Sequence, residues 1–133
     1  MISAGLSIFE TKKKIDFSLL TTNLISLNIS HNNISSIEDI KYFENLTQIN
    51  ISFNAIESLI PLESIKRLEI LNANNNKITI ISSLNICNKI KILEIENNNL
   101  VYLGPTINTL QNLKYIRELR IKNNPVNLFI IIN

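Results

Sequence analysis

The sequence predicts an α/β solenoid, with a short parallel β-sheet along a concave side and 3₁₀ or helical turns along a convex side. Three observations lead there: a segment recurs at a fixed interval, each copy holds a two-residue apolar period, and one asparagine recurs in register. Self-similarity of this kind ranks above local propensity, because it decides the architecture to which every element belongs. LISLNISHNNISSI starts at Leu24, LTQINISFNAIESL at Leu46, LEILNANNNKITII at Leu68 and IKILEIENNNLVYL at Ile90, all 22 residues apart. A fifth copy, IRELRIKNNPVNLF, starts at Ile116 after an interval of 26.

Within each copy, positions 1, 4, 11 and usually 14 are aliphatic, and position 6 is apolar throughout: Ile29, Ile51, Ala73, Ile95 and Ile121. Positions 4 and 6 are two apart, which puts both side chains on one face of a short strand. Repeats running in the same sense stack those strands in parallel. Position 9 is always asparagine: Asn32, Asn54, Asn76, Asn98 and Asn124. An amide turned inward at the strand end both accepts and donates, so it satisfies backbone groups of its own and the neighbouring turn; Asp only accepts and Leu does neither. Of the triplet Asn74-Asn75-Asn76, the first two are expected as surface amides and the third as the structural one.

The return limb of each repeat supplies the other wall of the core. Ile40 and Phe43, Leu62 and Ile65, Leu84 and Cys87, and Leu110 and Leu113 stand six and three residues before the next copy. A spacing of three suits one turn of 3₁₀ or α-helix. Pro61 fits a turn or a first helical position. Gly104-Pro105-Thr106-Ile107 reads as an insertion that bulges on the convex side. A lone repeat cannot bury its apolar face, whereas a stack makes one continuous core.

The expected organisation is a flank or degenerate cap over 1–23, five repeats over 24–129 and a short apolar tail over 130–133. In the flank, Phe17 and Leu20 match convex-wall positions of a preceding unit, and Ile2 and Ile15 are candidate members of a degenerate first coil. Leu128 to Ile132 is an apolar run able to pack over the last core layer.

The bulk figures exclude more than they specify. A formal charge of +2 over 133 residues, with a single basic cluster at Lys12-Lys13-Lys14, argues against a phosphate-contacting nucleic-acid binder. One cysteine, Cys87, permits no intrachain disulfide and reads as a small buried hydrophobe. The first fourteen residues lack a secretory pattern, and no apolar run approaches the ~20 residues that span a bilayer. The N-x-S/T matches, such as Asn28-Ile29-Ser30, carry no glycosylation expectation. His31 is the only histidine and cannot assemble a metal set. With two glycines in the chain there is no phosphate-cradling loop. No catalytic, cofactor or metal residues are expected.

The concave side presents the remaining strand positions. Position 5 gives Asn28, Asn50, Asn72, Glu94 and Arg120, and position 3 gives Ser26, Gln48, Ile70, Ile92 and Glu118. Apart from Glu69 the first three repeats are almost uncharged there, whereas the last two interleave both signs. That suits a protein partner with complementary charge better than a polyanion. Phe53 and the adjacent Ile70 and Ile92 are the apolar exceptions, and an aromatic near aliphatics inside a polar rim matches an interface hot spot. The expected partner-binding residues are Phe53, Ile70, Asn72, Ile92, Glu94 and Arg120, on a chain that is a monomer before binding, with no small-molecule substrate and no membrane.

The pattern L-x-x-L-x-L-x-x-N-x-L resembles the leucine-rich repeat. Over Leu24 to Phe129 the chain resembles small intracellular proteins of the 22-residue class, and this implies the cytoplasm or nucleus. That class includes the repeat regulatory subunit of protein phosphatase 1, the A-prime protein of the spliceosomal U2 particle, the acidic nuclear phosphoproteins and an axonemal dynein light chain. The regular spacing with Ile at positions 11 and 14 resembles the phosphatase regulator, which implies concave-face contact with a catalytic subunit. KRLEILNANNNKI, NNNLVYLG and NLKYIRELRIKNNPV resemble repeats of the A-prime protein, which implies an RNA-binding protein partner and only indirect association with nucleic acid.

Overall fold

Each repeat opens on a three-residue strand, and the strands stack in chain order. The computed structural model describes residues 3–4 and 23–126. Ser3–Ala4 (β1), Ser26–Asn28 (β2), Gln48–Asn50 (β3), Ile70–Asn72 (β4), Ile92–Glu94 (β5) and Glu118–Arg120 (β6) form one sheet in the order β1-β2-β3-β4-β5-β6. Every pairing is parallel, and equivalent repeat positions face each other: Leu27 opposite Ile49, Ile49 opposite Leu71, Leu71 opposite Leu93, Leu93 opposite Leu119. The alternation inherent in a strand turns position 4 inward and positions 3 and 5 outward.

The return limbs are 3₁₀ turns at Glu38–Tyr42, Ile60–Ser64 and Ser82–Ile86. Each closes on a matched bond, Phe43 N to Ile40 O, Ile65 N to Leu62 O and Cys87 N to Leu84 O, all at 2.9 Å. Pro61 sits in the first turn of its segment, where a missing N–H leaves no gap. The 26-residue repeat departs from its siblings: Leu103–Asn112 is a ten-residue α-helix (α1) rather than a 3₁₀ turn carrying a bulge. An α-helix rises about 1.5 Å per residue against about 2.0 Å in a 3₁₀ helix, so extra residues fit without pushing the next strand out of register.

The core lies between sheet and return limbs. Position 4 and 6 side chains from Leu27 through Ile95 are buried, as are Ile40, Phe43, Leu62, Ile65, Leu84 and Cys87 opposite them. In the last strand this changes: Ile116 and Ile121 are only half-buried and Leu119 is 39% exposed. Phe17, Leu20, Ile2, Ile15 and the run Leu128 to Ile132 lie outside the described residues.

Candidate protein-binding face

Four hydrogen-bonding positions shape the concave side, and the sequence pattern explains each. At position 9, Asn76 is buried; its Oδ1 accepts from Ile56 N at 3.0 Å and its Nδ2 donates to Ile51 O at 2.9 Å and Ala73 O at 3.2 Å. Asn54 accepts from Asn32 N and Ile34 N at 3.0 Å and donates to Ile29 O and Ile51 O at 3.0 Å. Asn98 and Asn124 repeat the arrangement on Ile78 N and Leu100 N at 3.0 and 3.1 Å. Asn32 donates to Ile29 O at 3.1 Å and to Ser30 O at 2.6 Å. Each of Asn54, Asn76, Asn98 and Asn124 thus ties its own turn to the one before, satisfying groups that would otherwise be buried unpaired.

Position 5 serves the strand end. Asn28, Asn50 and Asn72 accept from the backbone N–H two residues on, Ser30, Ser52 and Asn74, at 3.0, 3.0 and 3.1 Å. Ser30 and Ser52 hydroxyls add bonds to the same Oδ1 at 2.8 and 2.7 Å. These are Asx-turns, so the N-x-S spacing has a conformational meaning.

Asn74, expected as a surface amide, is half-buried. It accepts from Glu96 N at 2.7 Å and donates to Glu94 Oε2 at 3.0 Å.

Position 8 was the least legible in the sequence. Its N–H still bonds across the repeats, His31 to Ser52 O, Phe53 to Asn74 O, Asn75 to Glu96 O and Asn97 to Lys122 O, at 2.9–3.0 Å. The backbone then turns left-handed, with φ of 62° at His31, 56° at Phe53, 59° at Asn75, 56° at Asn97 and 59° at Asn123. That turn aims position 9 inward. Asparagine tolerates this conformation because its short side chain bonds locally, whereas a bulky residue there is a conformational outlier. Three of the five position-8 residues are asparagine, which was the available signal. His31 and Phe53 are the exceptions, and their rings stack with centroids 4.2 Å apart and planes 11° from parallel. Phe53 is 49% exposed.

The named face residues separate into two groups. Ile70 lies beside Ile92, Asn72 beside Glu94, and Glu94 beside Arg120 in the registers of β4, β5 and β6, so five of the six are sheet neighbours. Ile70, Ile92, Asn72 and Glu94 are half-buried and Arg120 is exposed. Phe53 instead stands three residues beyond the end of β3 and is partnered with His31. The sheet patch is partly self-satisfied: Arg120 Nε donates to Glu118 Oε1 at 2.9 Å, and Lys91 Nζ lies 3.1 Å from Glu69 Oε2. The hydrogen bond that Arg120 donates to Glu118 raises the Arg120 pKa, reinforced by the charges of Glu118, Glu94 and Glu96. Among the described residues no three His, Cys, Asp or Glu side chains converge on a metal site, and no helix is long and apolar enough to cross a membrane.

Residues 22–64 match the family model described as Leucine Rich repeats (2 copies). No curated protein matches the chain by sequence. Among solved structures, an internalin (inlF) from Listeria monocytogenes is similar with a TM-score of 0.72 and 29% identity, over 77% of this chain and 29% of its own. Internalin C2 from the same organism gives 0.72 and 21% identity, over 78% and 44%. A leucine-rich-repeat protein from Leptospira interrogans gives 0.62 and 21%, over 71% and 25%. The chain therefore spans less than half the length of each. Together with the geometry, these likenesses make the fold a leucine-rich-repeat solenoid, whose concave surface is typical of protein binding.

Proposed function

We propose that this leucine-rich-repeat solenoid takes a protein partner on its concave side, with Phe53 as the aromatic anchor and Ile70, Asn72, Ile92, Glu94 and Arg120 as the flanking patch. The observation that carries the reading is Phe53: a half-exposed ring held at φ 56°, where its counterparts in the last three repeats are asparagines. A left-handed bulky residue is disfavoured by about 1–3 kcal/mol, and an exposed ring adds little stability in return. Aromatic residues and arginine are enriched in protein interfaces, and a few such residues carry most of the binding energy. The mixed charges over β5 and β6 add orientation rather than bulk affinity.

Affinity capture from the source cell, followed by partner identification, tests this. The double change Glu94→Arg with Arg120→Glu, and separately Phe53→Asn, should each weaken capture at least tenfold while the circular dichroism spectrum is retained. Undiminished capture by both folded variants sinks the reading.

For the partner itself we propose a phosphatase 1 catalytic subunit, supported by the regular 22-residue spacing with Ile at positions 11 and 14. The alternative is an RNA-binding protein of the U2 particle, supported by the likeness of NLKYIRELRIKNNPV to an A-prime repeat. A phosphatase assay with the purified chain separates them: a change in activity supports the first, and no change combined with binding to the U2 protein supports the second.

A further inference from the structure

Each strand from β4 onward is entered through a turn on one flank of the stack, between the return limb and the sheet, and these three turns are basic. Lys66 and Arg67 precede β4, Lys89 and Lys91 precede β5, and Lys114 and Arg117 precede β6. In the sequence the three groups are far apart, but the sheet aligns them: Lys91 N donates to Glu69 O and Arg117 N to Lys91 O, both at 2.8 Å. Neighbouring strands lie about 4.8 Å apart, so the three turns share a strip about 10 Å wide. Lys91 is half-buried and the other five cations are exposed. Among the described residues Lys91 is also the only one of the six with a carboxylate in ion-pair range, Glu69 at 3.1 Å. Lys66, Arg67, Lys89 and Lys91 have described repeats on both sides, so their place on the flank does not come from an end of the stack. Like charges held this close repel one another, and an anion laid across them relieves the repulsion.

We infer that this flank binds an extended acidic segment of a protein, with carboxylates of the segment on Lys89, Lys114 and Arg117. Arginine and lysine both pair with carboxylates, the guanidinium through two parallel bonds. Acids around the strip select a protein segment over a nucleic-acid strand. Glu69 stands in its middle, and Glu44 and Glu63 line a pocket together with Lys66 and Arg67. A phosphate backbone carries a charge on every unit and meets those carboxylates whichever way it runs. A peptide places its acids on the cations and leaves its other positions neutral. Tyr115, 64% exposed between Lys114 and Arg117, adds the kind of ring in which protein interfaces are enriched. The flank is a second surface beside the concave one, and the inference does not depend on which partner the concave side takes.

Fluorescence anisotropy of the full chain tests this with a fluorescein-labelled peptide of alternating glutamate and glycine. The same peptide with glutamine for glutamate, and a labelled oligouridylate of equal charge, are measured beside it. The acidic peptide should bind and the glutamine peptide should not. Its affinity should fall as ionic strength rises from about 0.01 M to about 0.15 M, which shortens the screening length from roughly 30 Å to roughly 8 Å. K89E/R117E should weaken binding at least tenfold, and Glu69→Gln should tighten it by removing a carboxylate from the strip. All three positions are exposed or half-buried, and a thermal melt checks that the fold is kept; where K89E/R117E melts early, K89Q/R117Q should still weaken binding severalfold. Absence of binding to the acidic peptide at low ionic strength overturns the inference, as does binding indifferent to the charge changes at Lys89, Arg117 and Glu69. Tighter binding of the oligouridylate than of the acidic peptide overturns it equally, since the flank is then a phosphate-binding surface.

Discussion

The inward asparagines and the left-handed residues beside them are the side chains on which the repeat turns depend. Asn76 serves one backbone N–H and three carbonyls of two turns. Replacing it with leucine leaves the Ile56 N–H without its partner, worth roughly 1–3 kcal/mol, and takes one of two hydrogen bonds from each of Ile51 O, Ala73 O and Asn74 O. Asn76→Leu should therefore cost about 3 kcal/mol or more in urea unfolding. Asn76→Asp should also destabilise, because it sets a carboxylate against carbonyl oxygens. At Phe53 the expectation runs the other way. Phe53→Asn relieves a disfavoured backbone conformation and loses a stack worth about 0.5–1.5 kcal/mol, so stability should stay within about 1 kcal/mol of the native chain. Phe53→Ala loses the stack and keeps much of the strain, so it should be the least stable of the three. If Phe53→Asn proves several kcal/mol destabilising, the ring is a structural part and loses its place in the binding face. The recurring asparagine at position 9 was plain in the sequence. The role of position 8 was not, because a positive φ belongs to the assembled turn and reveals itself only as a preference.

Element-scale differences concentrate in α1. Thr106 and Thr109 are both fully buried on this helix but differ in bonding. Thr106 Oγ1 donates to Tyr102 O at 2.7 Å, whereas Thr109 Oγ1 has no partner. A buried hydroxyl without a partner is unfavourable, by about 1–3 kcal/mol in proteins. Thr109→Val keeps the shape and should raise stability by about 1 kcal/mol, while Thr106→Val should lower it by a similar amount. Thermal melts of the two variants should move in opposite directions; the same direction for both would mean that packing rather than bonding governs this face. The sequence marked Gly104-Pro105-Thr106-Ile107 as extra material on the convex side. It did not specify a helix, since that choice depends on the span between Leu100 and β6 that the residues had to bridge.

For the whole molecule, continuous burial is what unites the repeats, and Cys87 reports on it. Its thiol donates to Leu62 O at 3.3 Å in the preceding return limb. Burial, assisted by the charge of Glu63, pushes its pKa from 9.0 up to about 12. The folded state thus holds the proton more tightly than the unfolded one. The associated stability is fully present below pH 9 and declines as pH rises toward the folded value, by up to about 1.4 kcal/mol per pH unit. The gap in unfolding free energy between the native chain and Cys87→Ala should narrow from about pH 9 upward. A gap independent of pH would mean that the thiol is open to solvent. Because each repeat touches only its neighbours, a large-to-small change in a central layer, such as Leu71→Ala, should lower the stability of the stack by about 2–5 kcal/mol.

The sequence by itself determined the period, the strand face turned inward and the convex wall opposite, because these follow from spacing within one repeat. The solenoid and its parallel sheet were legible for that reason. What the tertiary structure decided involves residues that meet only when repeats are stacked. Asn76 reaches a carbonyl 25 residues away, His31 lies against Phe53, Asn74 binds Glu94, and Leu119 is left half-covered at the end of the sheet. A periodic pattern states what each copy has in common. The departures that make a surface specific depend on which side chain its neighbour in the next turn happens to be.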